Sequence, residues 1–105
     1  MILVVEDQPL RITRFQHALG HIHAADNLIE ALRWMRGNNG YSTIYLDHDG
    51  VDGDLLAKYM ARHKLHHTAK VRIHSDNYAG SVKMRDTLAA AGYDVKMVSF
   101  REVVG

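Results

Sequence analysis

A single doubly wound α/β domain, built on a five-stranded parallel sheet of order 2-1-3-4-5, is the fold class that three features of this sequence predict. Short apolar runs alternate with longer segments of helical period, which is the rhythm of repeated βα units. The chain has 105 residues, enough for one domain (1–105) with a real core and too few for a second. Three apolar runs end abruptly in polar groups, at Glu6-Asp7, Asp47-His48-Asp49 and His74-Ser75-Asp76-Asn77. An open parallel sheet binds its ligands beyond the carboxyl ends of its strands, so these are the positions where chemistry is expected.

The elements follow in order. Ile2-Leu3-Val4-Val5 is the first strand, and Pro9 opens a helix over 9–19, where its missing N–H costs nothing in the first turn. The second strand, 21–24, reads His-Ile-His-Ala, is weak in β-formers and belongs at an edge. Leu28, Ala31, Leu32 and Met35 form an apolar stripe at i, i+3, i+4 and i+7, which predicts a helix over 27–36. Asp26 or Asn27 caps it, and Glu30 is placed to complete a capping box from Asn27. The third strand is 43–46, followed by a helix over 53–64; the fourth is 70–74, followed by a helix over 80–91 that Gly92 terminates. Asp94-Val95-Lys96-Met97-Val98 alternates polar and apolar residues, as a fifth strand with one partly exposed face does. The remaining residues are too few for a full last helix. Phe15, Trp34, Met35 and Met60 occupy helical positions and read as core or helix surface, with no organic cofactor implied.

Composition excludes several classes of function. A hydrophobic fraction of 47% and a charged fraction of 24% are those of an ordinary globular chain, and no apolar run approaches a membrane span. The first residues lack a basic segment and a small-residue cleavage site, so they read as a strand, not a signal peptide. There is no cysteine, which removes disulfides, thiolate metal sites and a cysteine nucleophile; a cytoplasmic location is expected. A net charge of +1 gives no general pull toward duplex DNA. Eight histidines are many for this length, but abundance alone assigns no role.

With strand order 2-1-3-4-5, strands 1 and 3 are neighbours and strand 4 lies beside strand 3. Glu6-Asp7, Asp47-His48-Asp49 and His74-Ser75 then meet in one cleft. The chain resembles the receiver domain of bacterial response regulators, whose sheet has this flavodoxin-like order: Val-Val-Glu-Asp comes first, Leu-Asp ends the third strand and a serine ends the fourth. That resemblance implies an acidic pair at Glu6-Asp7, a phosphoacceptor at Asp47 and a hydroxyl switch residue at Ser75. The lysine expected after strand five is replaced by Met97-Val98-Ser99-Phe100, with Lys96 early and on another face. A closer resemblance is to the cyclic-phosphate processing receiver domain family, through residues 6–15, Leu-Asp-His-Asp at 46–49, Ile-His-Ser-Asp-Asn-Tyr-Ala-Gly at 73–80, Met84 and Ala91-Gly92-Tyr93. It implies handling of a cyclic phosphate, on an RNA terminus or on a small nucleotide.

The residues themselves carry compatible chemistry. Glu6, Asp7 and Asp47 are candidate Mg²⁺ ligands, since three converging carboxylates without a cation repel one another. His48 and His74 are candidate acid and base for opening a cyclic phosphodiester, with Asp47 or Asp49 orienting an imidazole. Strand alternation sets a competing expectation, that His48 tucks beneath the loop while Asp47 and Asp49 face the cleft. Ser75 and Asn77 can donate to phosphate oxygens. Arg11 and Arg14 can clamp a phosphate, and the N–H groups at Gly80 can receive an anion. Tyr78 can stack on a base. Three functions stay open: a cyclic phosphodiesterase, a non-catalytic cyclic-nucleotide receptor or sponge, and a phosphoacceptor receiver. Incompletely covered sheet and helix faces lead us to expect a homodimer.

Overall fold

The computed structural model describes residues 1–105. Ten elements alternate along the chain: β1 (Ile2–Val5), α1 (Pro9–Leu19), β2 (His23–Ala25), α2 (Leu28–Gly37), β3 (Thr43–Leu46), α3 (Gly53–His63), β4 (Lys70–Ile73), α4 (Tyr78–Ala90), β5 (Asp94–Met97) and α5 (Phe100–Val104). All strands are parallel, in the order β2-β1-β3-β4-β5. The fold class read from the sequence therefore holds, and β1 and β3 mark the point where the winding reverses.

Boundaries move for local reasons. The edge strand β2 begins at His23, not at residue 21, because its register places Leu3 opposite His23 and Val5 opposite Ala25. Asn27 Oδ1 accepts from the Glu30 N–H at 2.9 Å and so caps α2, but the returning bond from Glu30 is not formed, leaving half of the expected box. α4 starts at Tyr78, ahead of the expected residue 80, because Asn77 is its cap. β4 ends at Ile73 and leaves His74 just beyond the ladder. The last residues form a five-residue helix, short as expected, closed by a true capping box between Ser99 and Glu102.

Alternation along the strands divides the core into two layers. Leu3, Val5, Ile44, Leu46, Val71 and Ile73 pack with Met35 of α2, Leu56 and Met60 of α3, and Met84 and Leu88 of α4. On the opposite face Val4 meets Phe15 of α1 and Ile22, with Tyr45 and Phe100 around them. Phe15 is the keystone of this thinner layer, its ring 5.4 Å from that of Tyr45 and 5.3 Å from that of Phe100. The residues that follow each strand inherit these two faces.

Candidate functional site

The pairing register continues one residue past the strands. Val5 is opposite Leu46 and Leu46 opposite Ile73, while Asp47 N donates to Val5 O and His74 N to Leu46 O, each at 3.0 Å. Glu6, Asp47 and His74 consequently form one row across three adjacent strand ends. By alternation the row falls on the α1 side, and the His74 ring lies 4.9 Å from that of Phe15. All three are buried, at 0%, 4% and 1% exposure. His74 Nε2 donates to Glu6 Oε1 at 3.0 Å, which leaves its buried Nδ1 without a partner.

Electrostatics divide this row. Burial alone pushes Glu6 up, but its hydrogen bonds from His74 and the Gln8 N–H, with the charge of His74, outweigh burial and bring it down to about 2. Asp47 is pushed up to about 6, first by burial and then by the charge of Glu6. Asp7, exposed in the next position, is also raised by burial and by Glu6 and Asp49. Carboxylates crowded enough to retain protons suit a divalent cation, which replaces those protons. Ligand atoms of Glu6, Asp47 and His74 all lie within 4.8 Å of one another. The convergent donor set therefore contains an imidazole in place of Asp7, whose carboxylate packs against Gly50, a residue at φ 77 with no side chain to obstruct it. Two oxygens and a nitrogen accept Mn²⁺ or another first-row ion as well as Mg²⁺.

His48 takes the other face. Its backbone N–H donates to Asp47 Oδ1 at 2.7 Å, turning Asp47 inward, contrary to the expectation that Asp47 faces an open cleft. The imidazole is held at both nitrogens, Nδ1 by Asp49 Oδ1 at 2.8 Å and Nε2 by Asp54 Oδ2 at 3.2 Å. The Asp49 bond, opposed by burial and reinforced by Asp54, raises its pKa above the usual 6.5. The ring rests directly on α4: a Cβ at Gly80 would fall 2.5 Å from His48 Cδ2. Asn77 ties the same corner together, its Nδ2 donating to Asp49 at 3.2 Å and its Oδ1 accepting from Gly80 N at 2.9 Å. A cleft of about 190 Å³ opens beside this clamp, lined by His48, Asp49, Gly50, Asp52, Gly53, Asp54 and Leu55.

Several expected ligand groups stand elsewhere. Gly80 offers no free N–H to an anion, because the Asn77 side chain occupies it and the His48 ring covers the residue. Ser75 Oγ accepts from Asn77 N at 3.1 Å and shapes the turn into α4. Arg11 bonds Asp76 at 2.8 Å, approaches Glu6 at 3.8 Å and stacks over Phe100, so it does border the buried row. Arg14 makes no ion pair with the row; its guanidinium lies over Phe100, 5.7 Å from the ring centre. Tyr78 is 72% exposed at the start of α4. Lys96 is exposed on β5, and no lysine forms an ion pair with Glu6, Asp7 or Asp47. Sequence reasoning missed Asp54, the partner of His48, and named Asp76 only within a polar strand end, not as the partner of Arg11. Asp54 had a signal, an acid in the first turn of a helix that begins beside the cleft, but that placement already has a dipole explanation.

The comparisons agree with this geometry at the level of fold. The family whose sequence model matches residues 1–90 is described as the cyclic-phosphate processing receiver domain. No curated protein matches the chain. Among solved structures, the phosphorylated cyanobacterial phytochrome response regulator RcpA is similar, with a TM-score of 0.73 and 18% identity over 99% of this chain and 88% of that one. The receiver domain of Francisella response regulator 1452 aligns with a TM-score of 0.65 and 23% identity, covering 98% of this chain and 88% of that one. A response regulator from Thermotoga maritima aligns with a TM-score of 0.66 and 18% identity, covering 98% and 89%.

Proposed function

The chain belongs to the cyclic-phosphate processing receiver domain family, and from that premise we propose that it binds and hydrolyses a cyclic phosphate at the carboxyl ends of β1, β3 and β4. The observation that carries this reading is the placement of Asp47 and His48 on opposite faces of one strand end. Displacement at phosphorus is in line, with the attacking water and the leaving oxygen on opposite sides. Consecutive residues that alternate in direction supply a group to each side. Asp47, with a pKa near 6, takes the proton of the attacking water as its oxygen bonds to phosphorus. The endocyclic P–O bond breaks, and the His48 imidazolium gives its Nε2 proton to the leaving alkoxide, releasing the longer of its two carboxylate contacts. Asp49 keeps the ring protonated and oriented. His74, sealed under Phe15 and bonded to Glu6, serves as neither acid nor base in this step.

A divalent cation, Mg²⁺ or Mn²⁺, held by Glu6, Asp47 and His74 with Asp7 at its rim, would offset the charge of these carboxylates against the phosphate. The ligand classes are a small cyclic nucleotide or an RNA terminus with a 2′,3′-cyclic phosphate. The test incubates the protein with a panel of both, with Mg²⁺, with Mn²⁺ and without metal, and follows the product by phosphorus NMR. Ring opening that disappears in Asp47→Asn and His48→Ala supports hydrolysis. Thermal stabilisation with every ligand recovered intact makes the protein a receptor and removes the acid and base roles.

A second reading has its own observation. Asp47 follows the central strand, with an acidic pair just past β1 and Ser75 just past β4, and one similar structure is that of a phosphorylated response regulator. Asp47 is then a phosphoacceptor. A phosphoryl mass gain from acetyl phosphate, lost in Asp47→Asn, is its signature; no gain rejects it.

A further inference from the structure

The near-zero net charge conceals a separation of charge. No acidic residue occurs from Leu55 through Ser75, a stretch that holds five lysines and arginines and four histidines, and none occurs from Ala31 through Leu46. α2 and α3, which pack side by side, therefore end in a wholly cationic region. On α3, Leu55, Lys58 and Arg62 are exposed at i, i+3 and i+7, a single stripe that rises roughly 10 Å along the helix. Leu55 lines the cleft beside His48. The stripe thus leads from the mouth of the candidate site to Lys64, which follows the helix.

At that far end lies a larger cleft, about 350 Å³, lined by Met35, Arg36, Asn39, Gly40, Lys64, Leu65 and His66. Arg36 crosses from α2 to the Tyr59 hydroxyl of α3 and lies over its ring, and the His63 ring is 4.4 Å from that of Tyr59. No carboxylate comes within salt-bridge distance of Arg36, Lys58, Arg62 or Lys64, although the acids of the chain elsewhere pair with Arg11, Arg72, Lys83 and Arg85. Four cations without carboxylate partners, flanking the Tyr59 and His63 rings, match a flexible polyanion whose bases can stack, and a duplex presents no accessible base face to such rings.

We propose that the α2–α3 face binds the phosphodiester backbone of single-stranded RNA, with the strand running from the Arg36–Lys64 cleft along Lys58 and Arg62 toward Leu55. Placing the RNA end at His48 rests on the cyclic-phosphate reading; binding by the α2–α3 face does not. Of the ligands open to that site, this surface selects an RNA terminus over a free nucleotide, because a mononucleotide cannot reach both clefts.

The test uses fluorescence polarisation with the intact protein and a labelled RNA of about eight nucleotides ending in a plain 3′-hydroxyl. Four phosphate contacts give a log–log salt slope of about −3. Lys58→Gln/Arg62→Gln should weaken binding at least about tenfold and lessen the slope by about 1.4. Lys96→Gln/Arg101→Gln removes equal charge away from the face and should leave binding unchanged. Absence of wild-type binding, equal loss in both double variants, or equally good displacement by polyglutamate overturns the proposal. RNA binding lost only in the α3 variant, with no cyclic phosphate opened, upholds this surface and rejects the hydrolytic reading. Free 2′,3′-cyclic nucleotide opened by protein that ignores RNA does the reverse.

Discussion

Asp47 is held in a state that costs the fold energy. Its pKa lies near 6 against 3.8 for a free aspartate, so as pH rises from about 4 to about 6 the unfolded chain releases a proton that the native protein keeps, and stability falls. Glu6 behaves oppositely: with a native pKa of about 2 against 4.5, it contributes stability that is fully present above about pH 4.5 and is lost toward pH 2. Together the two groups place maximal stability near pH 4 to 5, which urea unfolding across pH measures. Asp47→Asn should stabilise the protein at neutral pH by on the order of 2–3 kcal/mol while abolishing turnover. The proposed chemistry needs Asp47 ionised and His48 protonated, so without added metal the rate should rise through about pH 6 and decline above the usual histidine range, and a bound cation should move the rising limb to lower pH. A rate that keeps rising into alkali removes His48 as the acid, and His48→Ala should lower kcat about 10²- to 10⁴-fold.

Elements matter where they seat these residues. Gly80→Ala drives a methyl group into the His48 ring, and either the ring or the start of α4 must move; a destabilisation of about 1–3 kcal/mol, with loss of activity, is expected in denaturant titrations. On the opposite face Ser99→Ala removes the cap of α5, costs about 1 kcal/mol and loosens Phe100 from Arg11. Much of this was legible beforehand. Hydrophobic runs, Pro9, Asn27 and Gly92 mark the elements because their reasons are local. The polar strand ends were equally plain, and alternation carried across a register explains why Glu6, Asp47 and His74 share a face. What stayed hidden depends on distant contacts: the inward turn of Asp47 under the His48 amide, the pairing of His48 with Asp54, and the consumption of the Gly80 N–H by Asn77. The edge strand misread by two positions had little β-propensity to fix its start, and only its pairing with Leu3 and Val5 does so.

At the scale of the whole molecule, the sheet leaves β2 and β5 as open edges, with Asp94 and Lys96 exposed on β5. The self-association expected from the sequence calls for a dimeric mass by light scattering at micromolar concentration, and a monomeric mass rejects it. Charged side chains on an edge oppose strand-to-strand pairing, so a dimer should use helix faces instead. The separation of charge has a further, kinetic meaning. An anion diffusing toward the carboxyl ends of the strands meets mostly aspartates, whereas one approaching α2 and α3 is drawn in from beyond contact range. Capture and reaction are then assigned to different regions of one small surface, and arrival at the reactive end becomes a slide along a helix in place of a collision from solution.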